Sequence, residues 1–142
     1  MDGLNDLAIR INETARSKGW WRGTEVECGD STVFAPRPVA EVLALVHSEV
    51  SEALEEYRAG HDLRRIRYVH EDGRVCTPEE LCRHPQGTSG PAKPEGFPIE
   101  LADIFIRLLD AAAEWDIDLQ EAVEVKMAYN STRPERHGGK LA

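Results

Sequence analysis

The chain has 142 residues, 41% of them hydrophobic and only 6% aromatic, with a formal net charge of −9. This excess of negative charge opposes sequence-independent binding to nucleic acid or to an anionic membrane surface, so we expect neither as a partner. No stretch approaches the roughly 20 apolar residues of a membrane span. The length predicts one domain over residues 1–142. Three cysteines are too few, and odd in number, for a disulfide framework, which favours a cytoplasmic protein with reduced thiols.

The first half of the chain contains two segments with apolar residues at helical spacing. The first is expected to run from about Leu4 to Lys18. Residues 23–38 contain Gly, Pro and Ser and are predicted to form a loop. The second helix is expected to begin near Pro38 and to end before Gly60, since proline is favoured in the first turn of a helix and glycine just past its end.

The second half contains two further helices, predicted over about residues 98–115 and 118–130. Between helices two and three lies an insertion, about residues 60–97, that is predicted to be a long loop. Within this insertion, residues 66–75 are expected to form a small hairpin. We therefore predict an all-α fold, a four-helix bundle with a long loop or small hairpin inserted between helices two and three.

The third helix is unusually apolar. Its polar residues fall within an arc of about 80° at helical spacing. They are Glu100, Asp103, Arg107, Asp110 and Glu114. A helix that is apolar over most of its circumference needs neighbours on several sides, and one short chain can hardly supply them all. We therefore expect self-association, as a homodimer or a homotetramer.

Two acidic pairs could carry chemistry. Glu49 and Glu52 lie three residues apart on helix two, and residues 100 and 103 repeat this spacing on helix three. Residues three apart project to one side of a helix, so facing helices would bring four carboxylates together. Mg²⁺ is bound in this way, shared between carboxylates and substrate phosphates. The alternative is that these residues form solvated helix faces.

Two other kinds of metal site, a zinc site and a ferritin-like dinuclear site, fit the sequence less well. Zinc could be bound by residues of the insertion, but their spacing lacks the two close cysteines of structural zinc sites, so a variable loop is favoured. These residues are His70, Cys76, Cys82 and His84. A ferritin-like dinuclear site requires Glu-x-x-His pairs from two helices. Neither acidic pair has a histidine at that offset.

Several motifs resemble those of the MazG-like, all-α nucleoside triphosphate pyrophosphohydrolases. They are residues 47–55 (HSEVSEALE), residues 100–110 (ELADIFIRLLD), the Gly-Trp-Trp of residues 19–21, and residues 126–140 (KMAYNSTRPERHGGK). In combination and in this order the motifs are specific. The resemblance covers the helical segments and the tail, but not residues 60 to about 92.

The resemblance implies hydrolysis of a (deoxy)nucleoside triphosphate between the α- and β-phosphates, giving a monophosphate and pyrophosphate. It implies Mg²⁺ as the cofactor, with Mn²⁺ as a substitute. The implied metal ligands are Glu49, Glu52, Glu100 and Asp103. Glu49 and Glu52 are also the expected catalytic residues, and Glu49 is the first choice for the general base. Some branches of the family place a glutamate where Ser48 stands here, which leaves the base open. The alternative function is a non-catalytic nucleotide- or metal-binding helical module on the same scaffold.

The tail and the paired tryptophans are the expected substrate-binding residues. The basic tail reverses the acidity of the chain locally, and Arg and Lys suit phosphate oxygens. The residues are Lys126, Asn130, Arg133, Arg136 and Lys140. The alternatives are a disordered basic end and, for Asn130, a helix C-cap. Trp20 and Trp21 could stack on the base, although paired tryptophans after a helix more often close a core. The sequence does not indicate which base or sugar is preferred.

Overall fold

A computed structural model describes residues 3–78 and 92–134 of the chain. The chain divides into two compact units: unit 1 comprises Met1–Arg22 and Leu109–Ala142, and unit 2 comprises Gly23–Leu108. The single domain over residues 1–142 stays a prediction. Among the described residues, no helix combines the length and the apolar character that crossing a membrane requires.

The described residues contain four helices, close to the predicted bounds. They are α1 (Leu4–Ser17), α2 (Val39–Arg58), α3 (Phe97–Glu114) and α4 (Leu119–Ser131). Pro38 is the N-cap of α2, in an extended conformation. At the start of α4, the Asp118 side chain accepts a hydrogen bond from the backbone N–H of Glu121, which satisfies one of the free amides of the first turn. These four helix predictions are confirmed.

The predicted all-α class is wrong, because two antiparallel sheets accompany the helices. Strands β1 (Thr24–Cys28) and β2 (Ser31–Ala35) pair where a loop was predicted. Their β-branched residues meet across the hairpin, with Val26 opposite Val33. Gly29, at a φ of 64°, lies in the turn between them and adopts the left-handed conformation at little cost. The fold is therefore mixed α and β.

The second sheet lies within the insertion between α2 and α3. The predicted hairpin is confirmed as β3 (Arg67–Val69) and β4 (Val75–Cys76). A third strand, β5 (Lys93–Glu95), pairs with the other side of β3 and was not predicted. Pro94 lacks an N–H, and its strand is at the edge of the sheet, where proline is tolerated.

Strand β5 leads directly into α3 through Gly96. This glycine has a φ of 118°, and a Cβ at its position would lie 2.6 Å from the carbonyl oxygen of Arg65. The carbonyl of Gly96 accepts the backbone N–H of Glu100 at 3.2 Å, which closes the first turn of α3. The start of α3 is therefore fixed to the sheet of the insertion.

A leucine and four alanines form the apolar core of unit 1. Leu109 is fully buried, and the alanines are nearly so; these are Ala8, Ala15, Ala111 and Ala112. Asn12 and Asp110 are also buried, and the Asn12 Nδ2 donates to Asp110 Oδ1 at 2.8 Å, so neither polar group is left without a partner. Unit 2 buries Val42 and Ala53 of α2.

Candidate metal centre

Three of the four predicted metal ligands come together in unit 2. Glu49 and Glu52 are on α2, and Glu100 is in the first turn of α3. One carboxylate oxygen of each lies within 4.8 Å of the others, and we call these three residues the acidic cluster. Glu49 is buried, Glu52 is exposed and Glu100 is intermediate, so the cluster lies at the surface of the unit. The cluster is therefore partly accessible to solvent.

Asp103, the fourth predicted ligand, is not one of the three clustered residues, but it belongs to the same electrostatic environment. Burial, followed by the charge of Glu49, raises the pKa of Asp103, while Arg107 and Lys93 oppose the shift. Asp103 is thus close enough to the acidic cluster to be affected by its charge. It remains a predicted ligand.

The negative charges around Glu100 also affect the pKa of its carboxyl. Burial raises the pKa of this carboxyl first, and the charges of Glu52, Asp103 and Glu49 raise it further. Carboxylates that face each other disfavour one another's ionisation, and a bound cation would remove this cost. The carboxyl of Glu100 is therefore partly buried beside like charges.

Arg107 is a site residue that was not predicted as one. Its Nε donates to Glu49 Oε1 at 2.5 Å, and the Glu49 side chain is only 8% exposed. The guanidinium compensates the buried charge of Glu49, which would otherwise be costly. A signal was present in the sequence, because Arg107 lies in the narrow polar arc of α3, one turn beyond Asp103.

Ser48 is at the position where some branches of the MazG-like family, which the motifs resemble, have a glutamate. Its hydroxyl donates to the carbonyl of Leu45 in the preceding turn of α2, at 2.7 Å. The side chain thus bonds to the backbone of its own helix and supplies no carboxylate to the site.

A second charged network lies further along α2. The two terminal nitrogens of Arg67, on β3, donate to the two carboxylate oxygens of Glu56, each at 2.6 Å. Arg67 also bonds Glu95 of β5 at 3.4 Å, and His61 Nδ1 lies 2.9 Å from Glu56 Oε2. These bonds, that of Arg67 first, lower the pKa of Glu56 to about 2. The sequence offered no signal for this network, because its members come from separate segments.

The tail residues that the structure describes are all in unit 1. Lys126, Asn130 and Arg133 lie on the last turns of α4 or just beyond, and α4 has no buried residue. The Lys126 Nζ and the Arg133 guanidinium lie over the Tyr129 ring, at 5.2 and 5.8 Å from its centroid. The helix C-cap is Thr132, not Asn130. Arg136 and Lys140 lie outside the described residues.

The two tryptophans differ in their surroundings. The Trp21 Nε1 donates to the buried Asp110 at 2.9 Å, and its ring packs edge-to-face on Trp115 with centroids 6.4 Å apart. Trp21 thus takes part in the packing of unit 1. Trp20 is 55% exposed. Base stacking stays a prediction for both.

Trp21 also lines a concave surface at the end of α1. This cavity has a volume of about 440 Å³, and three of its lining residues are basic; the lining is Arg16, Ser17, Lys18, Gly19, Trp21 and Arg22. Its charge is opposite in sign to that of the chain as a whole. Such a surface suits an anionic ligand.

Two of the four residues considered for zinc are close together. His70 Nε2 lies 3.3 Å from Cys76 Sγ, while the His70 Nδ1 is buried without a hydrogen-bond partner in the part of the chain that is described. Cys82 and His84 lie outside the described residues. Two close residues do not make a structural zinc site, which takes four ligands.

No family model matches the chain, and neither a curated protein nor a solved structure matches it.

Proposed function

We propose that this protein is a Mg²⁺-dependent nucleoside triphosphate pyrophosphohydrolase. The reaction converts a (deoxy)nucleoside triphosphate to its monophosphate and pyrophosphate. The observation that carries the proposal is the convergence of Glu49, Glu52 and Glu100 from two helices, with oxygens within 4.8 Å of one another. The resemblance of the motifs to MazG-like enzymes supports the same assignment.

The acidic cluster offers the kind of ligand that Mg²⁺ prefers, since three carboxylate oxygens lie within 4.8 Å of one another. When bound, Mg²⁺ would neutralise charge on the phosphates and make a water molecule easier to deprotonate. Asp103 would complete the carboxylate set, and Mn²⁺ would bind the same ligands.

The residues of the chain have distinct roles in this proposal. Glu49 is the proposed general base, and its buried position gives it a fixed orientation through the bond from Arg107. Glu52 and Glu100 are the more accessible ligands, on the side from which substrate would enter. Lys126, Arg133, Arg136 and Lys140 are the proposed phosphate-binding residues, and Asn130 is a further proposed substrate-binding residue. Trp20 and Trp21 are the proposed base-contacting residues.

The reaction is tested with a panel of canonical and modified nucleoside triphosphates in the presence of Mg²⁺. Products are identified by ³¹P nuclear magnetic resonance. We expect pyrophosphate and the monophosphate to form together, and only when Mg²⁺ or Mn²⁺ is present. Release of orthophosphate as the direct product would contradict the proposed bond cleavage. Saturable Mg²⁺ binding without turnover of any substrate would instead favour a non-catalytic nucleotide- or metal-binding module.

The proposed reaction also indicates a cellular compartment. Nucleoside triphosphates and Mg²⁺ are both intracellular, so we propose a cytoplasmic protein. Its partner in that compartment is the small-molecule substrate, together with further copies of the chain.

A further inference from the structure

We infer that Arg67 is a positioning residue for the metal centre, holding the acidic residues of α2 and α3 at their separation. This inference rests on the proposed metal site. Arg67 touches none of the three clustered carboxylates. It acts through two other acidic residues, Glu56 on α2 and Glu95 at the end of β5.

Two short hydrogen bonds connect Arg67 to Glu56 of α2. Both terminal nitrogens of the guanidinium donate to Glu56, which gives a fork with a defined orientation. The side chains are only 25% and 14% exposed, so water competes weakly for these bonds. Glu56 lies four residues after Glu52 and seven after Glu49, on the same stripe of α2. Fixing Glu56 therefore fixes the face of α2 that carries two proposed ligands.

The link from Arg67 to α3 passes through the sheet. Arg67 and Glu95 are direct cross-strand partners in β3 and β5, and their side chains also bond. Gly96 follows at once and accepts the amide of Glu100, the third member of the acidic cluster. There is thus no flexible segment between Glu95 and Glu100. Arg67 therefore gives the two helices a second connection, beside the direct bond from Arg107 of α3 to Glu49 of α2.

This arrangement gives the insertion between α2 and α3 a definite role. The three clustered carboxylates repel each other, and bonds between α2 and α3 oppose that repulsion. Arg107 supplies one such bond directly, and the strands β3 and β5 supply a second connection through Arg67. A lysine at position 67 would keep the positive charge. It would not form the two parallel hydrogen bonds to Glu56, because its ammonium group lacks the planar pair of donors of a guanidinium.

The test measures Mn²⁺ binding, by electron paramagnetic resonance, in the full-length protein and its variants. The main variant is Arg67→Met, and Arg67→Lys keeps the charge. Removing a positive charge near an acidic site would by itself tighten Mn²⁺ binding. Positioning predicts the opposite sign: binding weaker by about tenfold for Arg67→Met and by about threefold for Arg67→Lys, with far-UV circular dichroism unchanged.

Arg58→Met is the matched control. It also removes one positive charge, at the end of α2, but the side chains of the Arg58–Glu55 pair are 62% and 67% exposed. We expect Mn²⁺ binding to be unchanged or slightly tighter in this variant.

The outcomes separate this inference from the proposed function. A wild-type protein that binds no Mn²⁺ would overturn both. Wild-type binding with an unchanged or tighter Arg67→Met would overturn the positioning role alone. If Arg67→Met does not fold, Arg67→Lys decides. Loss of folding in both would assign Arg67 to the stability of unit 2 and reject the inference.

Discussion

Asp103, the fourth proposed metal ligand, would reduce the stability of the metal-free fold. Burial and the charge of Glu49 raise the pKa of its carboxyl. A carboxyl with a raised folded-state pKa favours the fold while protonated, and this contribution is lost as the pH rises through that pKa. At neutral pH the ionised Asp103 therefore opposes folding. The same charge is what would make it a useful ligand.

The substitution Asp103→Asn keeps the side-chain volume and removes the negative charge. We expect most turnover to be lost, while the free energy of unfolding in chelator is unchanged or higher. The stabilisation by Mg²⁺ should shrink, since a tenfold weaker affinity removes about 1.4 kcal/mol of it when Mg²⁺ is in excess. Thermal melts with chelator and with millimolar Mg²⁺ measure both effects. A less stable variant that still gains fully from Mg²⁺ would exclude Asp103 from the site.

Glu56 shows the opposite behaviour, because Arg67 lowers its pKa to about 2. A carboxyl with a depressed folded-state pKa contributes stability that is full above its ordinary pKa and is lost as the pH falls through the folded value. We expect Arg67→Met to be less stable than the wild type by about 2–3 kcal/mol at neutral pH. The difference should stay constant down to about pH 5 and then decrease toward pH 2.

Urea titrations of the two proteins between pH 2 and pH 7 measure this difference. Arg58→Met again serves as the control, and its exposed ion pair should contribute within about 1 kcal/mol at every pH. A wild-type advantage that persists unchanged at pH 2 would contradict the role of the Glu56–Arg67 pair.

At the scale of the elements, α1 and α3 meet in unit 1 around a buried carboxylate. Asp110 accepts from the Asn12 side chain and from the Trp21 indole through the same oxygen. Asp110→Ala would leave both donors without this acceptor, which costs about 2–4 kcal/mol of unfolding free energy. Asp110→Asn retains an acceptor oxygen and should cost less. Urea denaturation of both variants tests the order, and equal losses would show that the carboxylate is not the acceptor that matters.

The helices were predictable because their signals are local. Apolar spacing and capping residues such as Asp118 act within one or two turns of each helix. The hairpin β1–β2 was missed because Gly23, Pro36 and Pro38 at its ends suggested a loop, although Val26 and Val33 have the β-branched side chains of strands. Strand β5 was missed because Pro94 argues against a strand unless it lies at a sheet edge, which only the fold reveals.

The residues of the candidate site also include some that the sequence could predict and one, Arg67, that it could not. Glu49, Glu52, Glu100 and Asp103 could be proposed from spacing, since residues three apart share one side of a helix. Arg67 could not, because its partners Glu56 and Glu95 lie 11 and 28 residues away in the chain. Strand register brings these three together, and no local pattern encodes that register.

At the scale of the whole molecule, many large apolar side chains are exposed. On α3 they are Leu101, Phe105, Ile106 and Leu108, each more than a third exposed. Helix α2 similarly exposes Leu43, Val50, Leu54 and Tyr57. Large exposed apolar patches are typical of interaction sites and rare on monomers. The exposure of these side chains motivates a test of self-association, and the homodimer or homotetramer stays a prediction.

Analytical ultracentrifugation tests self-association at micromolar concentration. We expect the wild type to sediment as a dimer or a tetramer, and the double variant Leu101→Glu/Phe105→Glu to sediment as a monomer. These residues lie four apart and share one face of α3, so the charges would disrupt an apolar interface. Leu63→Glu is the control, since Leu63 is 42% exposed outside the helices, much like Phe105 at 44%. A wild-type protein with the mass of a monomer would contradict the prediction.

The proposed metal centre requires that carboxylates of α2 and α3 bind one divalent cation together. Calorimetric titration of Mg²⁺ tests it most directly, with Glu100→Gln as the variant and Glu121→Gln, at the exposed start of α4, as the control. We expect one saturable binding event per chain in the wild type and in Glu121→Gln, with affinity at least about tenfold weaker in Glu100→Gln. Equal Mg²⁺ affinity in the wild type and in Glu100→Gln, or no saturable binding in the wild type, would contradict the account.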